Sequence, residues 1–559
     1  MLTKKFLLTV TASLAVVLFP VGQHASPPDT KTAAALTGQV TSAEEGPMEG
    51  VLVSAKKDGA TIRITVVSDR QCHYSFPAAK LEPGHYALAI RAAGYDLDGP
   101  ASADVVGGKA ATADLKLRKA KNLSAQLSNA EWLASVPGTE QEKRSLLECV
   151  GCHTLQRIIR SNHGADEFVQ VFDRMSRYYN GSTPLHPQLL VGGPREGNVV
   201  GRGSEVMARA KYLASINLSE AATWEYPLKT LQRPTGRATH VVITEYDLTR
   251  PEAEPHDAIV DSAGMVWYAD FGKQFIGNLD PKTGKVTEFP VPELKKGSPT
   301  GTLNLEPDKD GNLWVSLMFQ GGIARFDPKS KTFKVWAVPD EWQSNHTQES
   351  FVTPTSSHVD GKVWTNNQDM HAIYRIDIAS GKFESFGPFK NPSTNRLISG
   401  YGIPADQENN LYLLDLQGAD IGRIDAKTGQ FTVYQTPTPN SRPRRGRFDF
   451  QNRLWFAEYG GNAVAMFDPK TASFREWKVP TAWSAPYDAV LDKNGEVWTA
   501  SMLTDQVDRV DTKTGQVVEY LLPRETNVRR VFVDNSTNPV TFWVGNNHAA
   551  SIIKLEPTD

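Results

Sequence analysis

From residue 267 onward one pattern recurs seven times, and a chain with this period must fold as an array of similar units. The aromatic centres Trp267, Trp314, Trp364, Tyr412, Trp455, Trp498 and Trp543 follow one another at steps of 47, 50, 48, 43, 43 and 45 residues. After most centres a short strand ends in a reverse turn, as in Asp280-Pro-Lys-Thr-Gly284, Asp327-Pro-Lys-Ser330, Asp425-Ala-Lys-Thr-Gly429, Asp468-Pro-Lys-Thr471 and Asp511-Thr-Lys-Thr-Gly515. Each turn leads into an alternating outer strand such as Val286–Pro290 or Phe474–Trp477. Four strands per repeat, arranged radially, make a seven-bladed β-propeller. The last repeat stops at Ile552-Ile-Lys-Leu555 without an outer strand, while Val241–Tyr246 is an outer strand without a repeat. The second is expected to complete the first and close the ring, leaving no open sheet edge.

The rest of the chain divides by composition and period. Residues 1–25 carry Lys4 and Lys5, then the short apolar run Phe6–Phe19 closed by Pro20, the layout of a signal peptide cleaved near Ala25. No later segment is long and apolar enough to span a bilayer, so the mature protein is expected to be periplasmic or secreted. The 60 basic and 63 acidic residues leave a net charge of −3, which gives no field for holding nucleic acid or an anionic membrane. Three cysteines exclude a disulfide framework. Between residues 36 and 118, alternating runs such as Tyr86-Ala-Leu-Ala-Ile90 predict a small β-sandwich. The stretch Leu81–Tyr95, with Pro-Gly, an alternating strand and Gly-Tyr, resembles the carboxypeptidase regulatory-like modules of the carbohydrate-binding-like fold class, which implies a spacer or adhesion role. Cys72 is expected to be a buried strand residue.

Between residues 122 and 220 the period changes. Phe168, Phe172 and Met175 are spaced as one face of a helix, and this segment is predicted to be helical. Its entry is Cys149-Val-Gly-Cys152-His153, a C-x-x-C-H motif that reads as covalent attachment of haem c, with His153 as an iron ligand. The surrounding residues 146–160 and Phe172–Met175 resemble small mono-haem cytochrome c domains. The expected fold class is therefore multidomain and mainly β: a seven-bladed propeller over 222–559, an N-terminal sandwich and a central α-helical cytochrome c domain. In the resembling cytochromes a methionine completes the iron. Met175 is preferred, with Met207, His163 and His186 as alternatives.

The propeller half resembles the streptogramin (virginiamycin B) lyase family through its Gly/Asn-x-x-Trp centres, its Ile276-Gly-Asn278 and Ile421-Gly-Arg423 strands and its outer strands. The resemblance implies ring opening of a lactone by elimination, using a Glu-Pro-His triplet, a second histidine on the next blade and a divalent metal such as Mg2+. Glu254-Pro255-His256 matches the triplet. Arg529 stands where the second histidine is expected. Apart from the family, Glu254 and His256 are two apart on a strand and so point to one side, where they could share a metal or a proton. Corresponding inner-strand positions supply Arg444, Arg445, Tyr487, Arg529 and Arg530, which predicts a cationic channel for an anionic or carbonyl-rich small molecule. Asn366, Asn367, Glu458, Asn546 and His548 are further candidates.

Two classes of function follow. One is an exported c-type cytochrome that couples haem electron transfer, to a redox partner protein or a small molecule, with ligand binding or oxidation at the propeller; this oxidoreductase reading is preferred. The other is a metal-dependent lyase with an ancillary haem. A non-catalytic sensor or scaffold is a further alternative.

Overall fold

The computed structural model describes residues 33–194, 204–218, 226–346 and 348–559; the expected signal peptide over 1–25 lies outside them. The N-terminal module is a β-sandwich of two sheets. One is built on Ala34–Ser42 and Leu115–Lys119, the other on Ile62–Val67, Leu52–Lys57, Gly84–Arg91 and Ser102–Val105. Alternate residues Leu36, Val40, Val53, Tyr74, Phe76, Leu88 and Leu115 fill the space between them, the inward half of each period-two strand.

Seven sheets follow in a ring. Blades 1 to 6 begin at Pro255–Val260, Leu305–Pro307, Glu349–Thr353, Leu411–Leu414, Pro443–Phe448 and Pro486–Leu491; blade 4 has three strands and the other five have four. Blade 7 joins Val528–Asp534, Thr541–Asn546 and Ser551–Pro557 to Val241–Asp247, which pairs antiparallel with the last of them from Val241↔Pro557 to Asp247↔Ser551. The strand that stood alone in the sequence thus shuts the ring. The other edge of Val241–Asp247 pairs with Ile62–Val67, so blade 7 and one sandwich sheet form a single eight-stranded sheet. Across this seam Glu245 is bound by Arg63 at 3.1 Å and Arg524 at 2.9 Å, and Asp247 by Lys56 at 2.7 Å.

The repeat centres have a local cause. The indole N–H groups of Trp267, Trp314, Trp455 and Trp498 each donate to a carboxylate six residues earlier, on Asp261, Asp308, Asp449 and Asp492, at 2.8–3.0 Å. These aspartates also accept backbone N–H groups of their own turns, as Asp308 does from Asp310 and Asn312. One carboxylate therefore fixes both the turn and the ring that packs between blades.

The expected central α-helical cytochrome c domain is overturned. Among its described residues the segment holds five α-helices, Asn129–Ser135, Glu140–Ser145, Leu155–Ile159, Ala165–Met175 and Ser204–Ile216, and the first three are too short to be stable without outside packing. Among the described residues they share their core with the propeller. Trp132, Leu146, Leu155, Phe168 and Tyr212 belong to one apolar core that continues through Tyr179, Phe271, Met318 and Phe319 to Phe351, Tyr401, Tyr487 and Met502 of the propeller. The segment is a helical cap seated on one end of the ring, and the protein is mainly β. Ala130 N–H donates to Leu503 O at 2.8 Å, and Tyr179 packs edge-on against Phe319 with ring centres 4.9 Å apart. Among the described residues no helix is long and apolar enough to cross a membrane.

Candidate functional site

Five of the inner strands carry a β-bulge: the register slips between Pro255 and Asp257, Glu349 and Val352, Pro443 and Gly446, Pro486 and Ala489, and Val528 and Val531. A bulge breaks the up-down alternation, so two successive side chains can both face the axis. That is how the pairs His256-Asp257, Arg444-Arg445, Tyr487-Asp488 and Arg529-Arg530 all reach the centre of the ring. They sort into two layers.

The second members form a buried ring of charge. Arg445 holds Asp257 with both nitrogens at 2.8 and 2.6 Å and reaches Glu306 at 3.3 Å. Arg530 donates to Glu306 at 2.9 Å, and Arg447 to Asp488 at 2.7 Å. Three arginines meet three carboxylates. Burial alone would raise the Asp257 carboxyl, but Arg445 and His256 outweigh it and hold it far below the usual range. Arg445 and Arg530, expected to bind ligand, are therefore held by acids of the protein itself, and this layer is a locked plug.

The first members face the cap. His256 is fully buried. Its Nδ1 bonds Asp257 at 2.8 Å and its Nε2 bonds the Tyr487 hydroxyl at 3.1 Å; that hydroxyl also meets the hydroxyl of Tyr401. Burial lowers the imidazole to about 4 despite Asp257, so it is neutral at neutral pH. Arg444 lies over the rings of Tyr487, Tyr459 and Tyr401, its guanidinium carbon 4.2, 4.4 and 5.0 Å from their centres. Burial would raise the Tyr401 phenol, but Arg444 and Arg529 bring it below its ordinary value, whereas burial and Tyr401 keep Tyr487 high. Glu254 is buried, with no hydrogen bond to its Oε1. Burial and the neighbouring Asp270 push it well above the carboxylate range.

The C-x-x-C-H turn lies directly on this layer. Arg529 donates from Nη2 to Gly151 O at 3.0 Å and from Nε to Asn527 Oδ1 at 2.6 Å, while Asn527 Nδ2 donates to Val150 O at 2.8 Å. Cys149 and Cys152 are half-buried free thiols on a single helical turn, closed by Cys152 N–H and His153 N–H bonding back to Cys149 O. Burial, and the nearby Glu254 after it, push Cys152 up to about 12. Arg209 lies 3.8 Å from Cys149 Sγ. His153 bonds Thr154 O through Nδ1 at 3.0 Å, and burial lowers its basicity. His548, from the loop after the second strand of blade 7, has both ring nitrogens buried and unpaired, and burial lowers it to about 3.

The remaining candidates are dispersed. Met175 ends its helix with 37% of its surface exposed, and Met207 is half-buried two residues before Arg209. His163 faces Glu167 at 4.0 Å, and His186 is half-buried with Nδ1 unpaired. Asn366 supports the backbone of Phe351 and Gly400, Asn367 faces Glu349 at 3.4 Å, and Asn546 accepts from Asn527 N–H. Glu458 is buried with neither oxygen bonded. The divalent metal implied by the lyase resemblance does not fit: Glu254 shares its surroundings with the Arg529 cation, and both nitrogens of His256 are taken. Asp257, Glu306, Tyr401 and Asp488 were not expected at the axis. The signal for two of them was their place after His256 and Tyr487.

The virginiamycin B lyase family model matches residues 295–558 and the carboxypeptidase regulatory-like domain model residues 35–118, so the chain carries a domain of each kind. No curated protein matches the chain. Among solved structures, an inactive variant of virginiamycin B lyase from Staphylococcus aureus with quinupristin is similar at 22% identity, over 56% of this chain and 99% of that one, with a TM-score of 0.48. A streptogramin B lyase is similar at 21%, over 58% and 100%, with a TM-score of 0.48. The extracellular domain assigned to a hybrid two-component system of B. thetaiotaomicron is similar at 17%, over 55% and 41%, with a TM-score of 0.42.

Proposed function

We propose that the chain carries haem c on Cys149 and Cys152 and exchanges single electrons between that haem and a small molecule taken at the capped end of the propeller, outside the cytoplasm. One observation carries this reading: the turn that would hold the haem is hydrogen-bonded to the axial residues through Arg529 and Asn527. An electron carrier there would sit against the ligand side of the ring. The residues present suit the group. Both thiols are free, His153 keeps Nε2 clear by giving Nδ1 to a backbone carbonyl, and burial favours the neutral imidazole that binds iron. A Cβ placed on Gly151 would meet nothing within 4 Å, so the turn is not closed over at that position. When bound, haem supplies reversible one-electron chemistry.

The chain's own residues would then orient a ligand and manage protons. The Asp257–His256–Tyr487–Tyr401 chain is continuous, buried and neutral at its histidine, so a proton leaving a phenol can be accepted away from bulk solvent. Elimination has the weaker support. It needs a free histidine beside Glu254, and His256 is bonded at both nitrogens.

The test is production in a host that matures c-type cytochromes, followed by thiol alkylation and a reduced-minus-oxidised spectrum. One haem per chain, with Cys149 and Cys152 closed to alkylation, is expected. Colourless protein with both thiols alkylated would refute the reading.

A further inference from the structure

Two cations of the upper layer lack any counterion among the described residues. Arg444 is 8% exposed and Arg529 5%, and neither forms an ion pair with a carboxylate. Arg444 has its Nε buried and unbonded, and its Nη1 has only the weak acceptor Met502 Sδ at 3.8 Å. The three tyrosine rings surround this guanidinium, and a side-chain hydrogen bond joins it to Tyr401, so its Nε donor is the one left without a partner. Arg529 commits two donors to Asn527 and Gly151 and places its guanidinium carbon 5.6 Å from the centre of the same Tyr487 ring that Arg444 covers at 4.2 Å. The neighbouring acids do not neutralise them. Asp257, Glu306 and Asp488 are matched by Arg445, Arg447 and Arg530, and Glu254, whose carboxyl burial pushes well above its ordinary value, forms no ion pair with either guanidinium. Two buried, uncompensated guanidinium groups facing one tyrosine are costly unless an anion joins them.

We propose that this upper layer binds a small carboxylate between Arg444 and Arg529, with Tyr401, Tyr459, Tyr487 and Phe271 walling its apolar part, and that its occupancy is linked to the redox state of the haem. The second half rests on the haem reading above; the first does not. The guanidinium forks select a planar carboxylate, and the aromatic walls select an organic body over an inorganic ion. Arg529 would thus join the carboxylate to the Gly151 carbonyl that it already holds. A negative charge arriving there favours the oxidised haem, which carries one more positive charge. By reciprocity the oxidised protein binds the carboxylate more tightly.

Benzoate serves as the probe. With the full-length Cys149→Ala, Cys152→Ala protein, calorimetry at constant ionic strength should show saturable binding, weakened at least tenfold by Arg444→Gln or Arg529→Gln and kept in part by Arg529→Lys. Near-UV circular dichroism identifies the variants that remain folded, and the unreplaced arginines serve as the reference. Binding that is absent from the folded parent, or indifferent to both glutamine substitutions, overturns the site. With the haem-loaded protein, saturating benzoate should lower the midpoint potential, by about 59 mV for each tenfold preference for the oxidised form. Binding without a shift overturns the linkage alone. Failure to attach haem overturns the linkage together with the haem reading and leaves the calorimetric result to decide the site.

Discussion

Arg529 of the seventh blade donates to the carbonyl oxygen of Gly151, 378 positions earlier in the chain, over 3.0 Å. Its neighbour Asn527 reaches Val150 in the same way. The two thiols and the axial layer of the propeller are thereby parts of one hydrogen-bonded unit, although the motif and the blade are far apart in sequence.

Asn527 is fully buried and serves both the Val150 carbonyl and Arg529 Nε. Asn527→Ala leaves both partners unsatisfied and should cost about 2–3 kcal/mol. Hydrogen exchange should speed up at the amides of residues 149–154 and stay unchanged in blades 2 to 4.

Glu245 sits with no exposed side-chain surface between Arg63 of the sandwich and Arg524 of the propeller. Removing one member of a buried ionic group costs about 3–5 kcal/mol. In a thermal scan Glu245→Ala should therefore split off an early transition belonging to the sandwich, with the main transition of the ring retained.

Burial, with Glu476 adding to it, raises Glu458 to about 8. The native protein thus keeps a proton that the unfolded chain, at an ordinary 4.5, has released. Stability from this group falls as pH rises from about 4.5 to about 8, by a few kcal/mol at most. Glu458→Gln should match the parent in melting temperature near pH 4.5, exceed it progressively up to pH 8, and hold a constant lead above that.

At the junction of blades 7 and 1, a side-chain carbon on Gly545 would lie 1.8 Å from the carbonyl oxygen of Pro255. A backbone atom cannot move aside as a flexible side chain does. Gly545→Ala should lower the denaturant midpoint by the equivalent of about 3 kcal/mol and shift the tyrosine absorption of the layer beside Pro255, which a purely peripheral clash would not.

The propeller was legible in the sequence because every blade repeats the same local construction. Its aromatic centre is an indole or phenol wedged between sheets, and Val241–Tyr246 could be matched to the incomplete last repeat. The axis was harder to read. Strict alternation places Arg444 and Arg445 on opposite faces, and only the bulges, which leave no residue signature here, turn both inward. Arg445 and Arg530 lie at the centre, yet their partners Asp257, Glu306 and Asp488 come from other blades, and such pairing over long separations is invisible to local pattern. The C-x-x-C-H motif suggested a whole helical domain. Periodicity showed the helices but not what their apolar faces meet, and those faces meet the propeller. The edge-to-edge seam between sandwich and seventh blade was equally hidden, since a strand with two neighbours reads like any other.

The position of Val241–Asp247, flanked by Ile62–Val67 on one side and Ser551–Pro557 on the other, governs the order of assembly. Neither neighbour is local, so a growing chain can complete the early module and the middle blades while its two ends stay unjoined. Closure of the ring must await synthesis of Ser551–Pro557. Removing Ser551–Pro557 would uncover adhesive edges on both Val241–Asp247 and Thr541–Asn546, which that one strand now joins.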